Sequence, residues 1–175
     1  MRLFFAVWLD ADTLTAVEGV QERLLAISAG RPMVPETMHL TLSFVGDIDE
    51  AQTADRLADL VSIGEQIQLP AFLFHINKIS CFETSKVAWA GTKNVPGELI
   101  ALQSAIDGMV GQAGFPRDPR PFRPHITLIR NLPAPLEMMS TQDIIWPISA
   151  FSLVKVNQSG VGLPYEILHV WPLKR

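Results

Sequence analysis

The sequence is poor in the residues that mark several whole classes of protein. It has a single cysteine, Cys81, so it can form no internal disulfide and no cysteine zinc site, and nothing in it points to an oxidising compartment. Charged side chains make up only 18%, below the roughly 25% of average soluble domains, while the hydrophobic set reaches 48%. Intrinsic disorder is thereby excluded. No apolar run approaches the roughly 18 residues a membrane helix needs, and the apolar opening from Met1 to Leu9 meets Asp10 before it could form a signal-peptide core. The expectation is a soluble, cytoplasmic protein stabilised by packing. Positive charge is also in short supply. Fourteen Lys and Arg against eighteen Asp and Glu give a net charge of -4, so the chain as a whole does not attract a long polyanion.

Other absences narrow the chemistry. There is no glycine loop for a nucleotide triphosphate, no His-Glu-x-x-His spacing and no glycine-flanked nucleophile around Ser43. Asp47 and Asp49 follow a histidine strand by a turn, where two acids are usually solvated rather than metal-bound. No metal and no cofactor is expected. No linker or low-complexity tract divides the 175 residues, which read as one domain, 1–175.

Within it, one order of elements occurs twice. Arg2 to Leu9 reads as a strand buried on both faces. A helix capped by Asp12 or Thr13 follows, with Leu14, Val17, Val20, Leu24 and Ile27 on one side and Gly30 and Pro32 as its stop. After a turn over 31–37, Met38 to Val45 forms a second strand. A helix over 50–66 and strands at 71–77 and 86–91 come next. Then Leu99, Leu102, Ile106, Met109 and Val110 mark another helix, and His125 to Arg130 another strand. Setting His39 against His125 gives an internal duplication with repeats of roughly 2–46 and 86–131. Ile148 to Asn157 and Tyr165 to Trp171 complete the chain as a hairpin around Gly160 and Gly162.

The two matched strands read His39-Leu40-Thr41-Leu42 and His125-Ile126-Thr127-Leu128. Residues two apart on a strand share a face, so each His and Thr point together while the aliphatic residues point into a core. Two imidazoles in one cleft, with ordinary pKa near 6.5, can serve as acid and base, and threonine hydroxyls can donate to oxygens that gain charge. A basic connection lies beside the second strand, where Arg117, Arg120, Arg123 and Arg130 face only Asp118. Such a set suits in-line displacement at phosphorus. His75 and His169, which lack a following Thr, are expected to be structural.

These blocks, with their flanks Ser43-Phe44-Val45-Gly46 and Arg120-Pro121-Phe122-Arg123-Pro124, the opening Arg2 to Val7, Val87-Ala88-Trp89, Tyr165 and Trp171-Pro172-Leu173, resemble the two-histidine (2H) phosphoesterases. Within that superfamily they are most similar to the LigT-like RNA 2′,3′-cyclic phosphodiesterases, also called 2′-5′ RNA ligases. The resemblance implies an α+β fold of two pseudo-symmetric lobes of antiparallel sheet, with outer helices, around a central cleft. It implies metal-independent hydrolysis of a 2′,3′-cyclic phosphate on an RNA end or nucleotide to a 2′-phosphate, with reverse 2′-5′ ligation by the same groups. Carried over by position, His39 becomes the general acid, His125 the general base, and Thr41 and Thr127 their partners, although the motifs alone do not distinguish acid from base. Arg130 and Phe44 become substrate-binding residues. Both stand on the parity opposite to the histidines, so they reach a cleft only if the strands twist or bulge. The protein is expected to act as a monomer. A binding module without turnover, or a phosphodiesterase for a non-RNA cyclic phosphate, would use the same residues.

Overall fold

The computed structural model describes residues 1–49, 52–157 and 162–174. The elements run β1 (Arg2–Trp8), α1 (Ala11–Leu25), β2 (Arg31–Pro32), a 3-10 turn (Pro35–Thr37), β3 (His39–Asp47), α2 (Thr53–Gln66), β4 (Phe72–Phe82), β5 (Val87–Gly91), α3 (Gly97–Gln112), β6 (Ile126–Arg130), β7 (Met139–Ile148), β8 (Ala150–Val156) and β9 (Tyr165–Pro172). Across the described residues the strands form one open antiparallel sheet in the order β7-β4-β5-β6-β3-β1-β8-β9, with β2 paired beside β6. The order divides at its centre into two four-stranded lobes, and β3 and β6, the histidine strands, meet there. They join through a single register pair, Leu40 opposite Ile126.

The helices cover one face of this sheet. Leu3, Phe5, Val7, Leu40 and Leu42 from one lobe and Phe74, Ile76, Ile126 and Leu128 from the other pack against Val17, Val20, Leu24, Leu60, Leu99, Leu102, Ile106 and Val110. Each fully buried side chain of this size stabilises the fold by about 1.5–3 kcal/mol. The helices are placed crosswise. Helix α1 follows β1 but packs against β7, and α3 follows β5 but packs against β3. Buried Gln21 on α1 donates to the carbonyls of Met33 and Leu128, and Ser43 on β3 donates to Asp107 on α3. On the sheet's other face a small cluster of Phe4, Ala6 and Val154, flanked by Trp8, Val156 and Tyr165, backs the cleft, so β1 is buried on both faces as its sequence suggests.

Several boundaries differ from the sequence reading. The cap of α1 is Asp10, whose carboxylate accepts from the Thr13 amide and hydroxyl, and not Asp12 or Thr13. The helix ends at Leu25, so Ile27 lies in a turn and is 69% exposed. Within 31–37, read as a turn, Arg31 and Pro32 pair with β6. Strand β4 runs on to Phe82, past a register shift between Ile76 and Lys78 that interrupts its alternation. The strand expected over 148–157 is β8, which pairs with β9 as the expected hairpin, while Ile148 ends β7, a strand the sequence reading does not include. Most of β7 escapes the pattern because it is an edge strand of exposed polar residues, and the edge also tolerates Pro147. The first residues of the expected helix at 50–66 and Gly160 of the hairpin loop lie outside the described residues. Among the described residues no helix is long and apolar enough to cross a membrane.

Candidate active site

His39 opens β3 and His125 immediately precedes β6. The antiparallel register through Leu40 and Ile126 sets His39 across from Thr127, and His125 across from Thr41. All four side chains line one cleft of about 290 Å³, together with Phe44 and Arg130. Neither threonine hydroxyl has a protein hydrogen-bond partner among the described residues, so both are free to donate to a ligand.

The two rings are held in the same way. His39 Nδ1 lies 2.8 Å from the carbonyl of Thr37, and His125 Nδ1 lies 2.6 Å from the carbonyl of Arg123, in each case two residues back. A carbonyl only accepts, so each Nδ1 carries the proton and each neutral ring leaves Nε2 as a base for the cleft. His39 packs among Phe4, Trp8 and Tyr165, with ring centroids 5.0–5.1 Å away. His125 meets the ring of Phe82 edge-on at 4.9 Å. Burial in this apolar wall pushes His39 down to about 4, against the raising effect of the Thr37 carbonyl and with help from His125 and Arg130. Burial likewise lowers His125, with Arg130 adding to it. Both rings therefore favour the neutral form at pH 7.

Phe44 and Arg130 reach the cleft through bulges. Along β3, Thr41 pairs with Ala6 and Ser43 with Phe5, which leaves Leu42 as an extra residue. Along β6, Thr127 pairs with Trp89 and Ile129 with Ala88, which leaves Leu128 extra. Each bulge buries two successive residues and reverses the alternation beyond them. Phe44 and Arg130, each five residues after its histidine, thus turn to the histidine face. The same reversal removes Ser43 from the face it would share with His39 in a regular strand and buries it against Asp107.

The other candidates lie elsewhere. His75 pairs with Asp143 at 2.6 Å on an exposed surface, and His169 stacks on Trp171. Asp47 binds Arg2, and the Asp49 carbonyl accepts from Thr53. In the basic connection Arg117 is tied to Asp107 and Arg120 to Asp118, and only Arg130 enters the cleft. Cys81 contacts the backbone of Leu136. No group of three or more His, Cys, Asp or Glu arranged to hold a metal ion exists among the described residues. Arg2, Phe4, Met33, Thr37, Val156 and Tyr165 complete the lining, and sequence reasoning assigns none of them a specific role in the site. Parity on β1, which adjoins β3, could have flagged Phe4, whereas Tyr165 lies on β9, separated from β3 by β1 and β8.

A family model described as the 2′-5′ RNA ligase superfamily matches residues 6–159. The chain belongs to this superfamily. Among its relatives in the 2′-5′ RNA ligase superfamily, the RNA 2′,3′-cyclic phosphodiesterase of Escherichia coli K12 is 31% identical over 130 residues, which are 74% of this chain and 72% of that protein. The protein of the same name from Thermus thermophilus is 28% identical, with 99% and 91% covered. Of solved structures, E. coli LigT in apo form superposes with a TM-score of 0.84 at 26% identity, covering 99% of this chain and 98% of LigT. LigT complexed with 3′-AMP gives 0.83 at the same identity and coverage. The two-lobed antiparallel α+β fold is thus shared with these members of the superfamily.

Proposed function

We propose that this protein hydrolyses 2′,3′-cyclic phosphates on RNA ends or nucleotides to 2′-phosphates. The observation that carries the reading is the meeting of two equivalent His-x-Thr pairs in one cleft, in a chain whose superfamily relatives are named for this activity. The cyclic phosphate sits between the two Nε2 atoms. His125 takes a proton from water as its oxygen attacks phosphorus, the bond to O3′ breaks, and His39 delivers a proton to O3′. Thr41 and Thr127 donate to the phosphoryl oxygens as charge builds on them. Arg130 and Phe44 hold the nucleoside part, the guanidinium offering charge and a flat face to a base.

The substrate also favours the acid form of the site. With both imidazoles neutral in the free site, the phosphate anion favours an imidazolium beside it, so substrate binding takes up a proton from solution. The same groups run backwards when a 5′-hydroxyl replaces water, which joins two ends through a 2′-5′ linkage. We read 1–175 as one domain that arose by duplication of segments near 2–46 and 86–131, acting as a monomer in the cytoplasm without metal or cofactor. Incubation with 2′,3′-cyclic AMP and chromatography of the product tests the function. Accumulation of 2′-AMP, lost in His125→Ala, is the expected result. Absence of turnover with intact nucleotide binding would make the protein a binding module instead.

A further inference from the structure

Arg31 stands directly opposite Arg130 where β2 pairs with β6. Facing residues on antiparallel strands share a side, and Met33, two residues beyond Arg31, lines the cleft as Arg130 does. The two arginines therefore lie on the same side of the sheet, Arg130 in the cleft lining and Arg31 beside it at the cleft's edge. Like charges directly across a sheet are destabilising. Neither arginine is in an ion pair among the described residues, whereas Arg2, on the other side of the same cleft, is neutralised by Asp47.

The fold nevertheless holds this pair firmly in place. The Met33 amide donates to the Leu128 carbonyl, and buried Gln21 clamps the carbonyls of Met33 and Leu128 together. Gly30 precedes the pair at φ +143°, and a Cβ there would lie 2.5 Å from the Ile129 side chain and 2.9 Å from the Arg130 carbonyl. Only glycine allows β2 to come this close to β6.

We propose that Arg31 and Arg130 together form a subsite for the phosphodiester on the 5′ side of the terminal nucleoside, so that the protein prefers oligonucleotide ends to mononucleotides. The inference rests on the phosphodiesterase reading of the adjacent cleft. One anionic linkage between the two forks relieves their repulsion and accepts hydrogen bonds from both. A mononucleoside cyclic phosphate has no such linkage and leaves Arg31 unused.

The test measures binding, so it does not depend on turnover. The whole chain is titrated with adenosine 2′-phosphate and with the dinucleotide ApA ending in a 2′-phosphate. Wild type should bind the dinucleotide more tightly. Arg31→Gln should weaken the dinucleotide about tenfold more than the mononucleotide, and the slope of log affinity against log salt should become shallower by about 0.7. Arg31→Lys, which keeps the charge without the fork, should recover part of the loss. Circular dichroism melts should match wild type for Arg31→Lys and equal or slightly exceed it for Arg31→Gln, since Arg31 is exposed and the latter removes a like-charge neighbour. Equal effects on both ligands, or equal wild-type affinities, would overturn the subsite alone. Failure to bind either ligand would overturn the reading of the cleft as well.

Discussion

Leu42 and Leu128 occupy the same place in two different strands. Each stands three residues beyond a cleft histidine, each is the unpaired residue of a bulge, and each is buried, at 2% and 0% exposure. The pair explains how a histidine, a threonine and a third side chain five residues away can share a face that regular alternation denies to the third. Two members of the cleft lining, Phe44 and Arg130, depend on this irregularity, and it is made by two leucines that are not themselves part of the lining.

The depressed imidazoles fix the sign of the pH dependence. One ring must be charged and the other neutral, and this state is most populated between two pKa values that both lie below the ordinary 6.5, His39 near 4. The profile of kcat/KM, which reports the free protein, should be bell-shaped with its maximum below pH 6.5. The kcat profile should peak at higher pH, because the bound phosphate stabilises the imidazolium. Rates measured from pH 4 to 9 check this, and a kcat/KM maximum above pH 7.5 would remove the histidines from the acid and base roles.

His39 also ties stability to pH. Its ring binds protons near 6.5 when unfolded and near 4 when folded, so the unfolded chain takes up more protons between those values. The contribution is present above pH 6.5 and is lost as pH falls through 4, with a span of about 3 kcal/mol. Urea unfolding at pH 7 and pH 4 should show a loss of that order in the wild type and a smaller one in His39→Gln. Equal losses in both would place the pH sensitivity elsewhere.

Thr41→Val and Thr127→Val keep the shape of the side chain and remove a donor. Each should slow cyclic-phosphate hydrolysis by about 10²–10³ while leaving the melting temperature nearly unchanged. Steady-state kinetics beside thermal melts separate the two effects. Unchanged rates in both variants would take the hydroxyls out of the reaction.

For the substrate clamp, Arg130→Ala should raise KM for 2′,3′-cyclic AMP about tenfold or more, with a smaller effect on kcat. Phe44→Ala should reproduce part of that defect, and the double variant should fall short of the sum if both side chains hold one base. Fully additive effects would mean that they contact the ligand independently.

Hydrolysis should survive EDTA, because two histidines carry the protons and Thr and Arg donors meet the charge. Activity lost on chelation and restored by zinc or manganese would replace this mechanism.

What is legible in the sequence follows physical lines. The repeated His-x-Thr blocks reveal the four central side chains because a polar pair interrupts an otherwise apolar strand. Parity even poses the right question about Phe44 and Arg130. The answer is hidden, since Leu42 and Leu128 look like ordinary core leucines and a bulge is decided by the partner strand. Phe4 and Tyr165 stay silent for a related reason: their place in the cleft comes from strand pairings remote in sequence. Strand β7 is lost to its own exposure, as Ser140 to Asp143 carry no apolar alternation for a pattern to detect.

The single pair Leu40 and Ile126 leaves the centre of the sheet as a joint rather than a ladder. The gap between the two imidazoles is consequently set by struts: Gln21 reaching from α1 to Leu128, and Asp107 on α3 receiving Ser43. Each lobe is braced by a helix that belongs, by chain order, to the other. The jaws of the cleft are thus calibrated from behind, and neither could keep its aim if the other were removed.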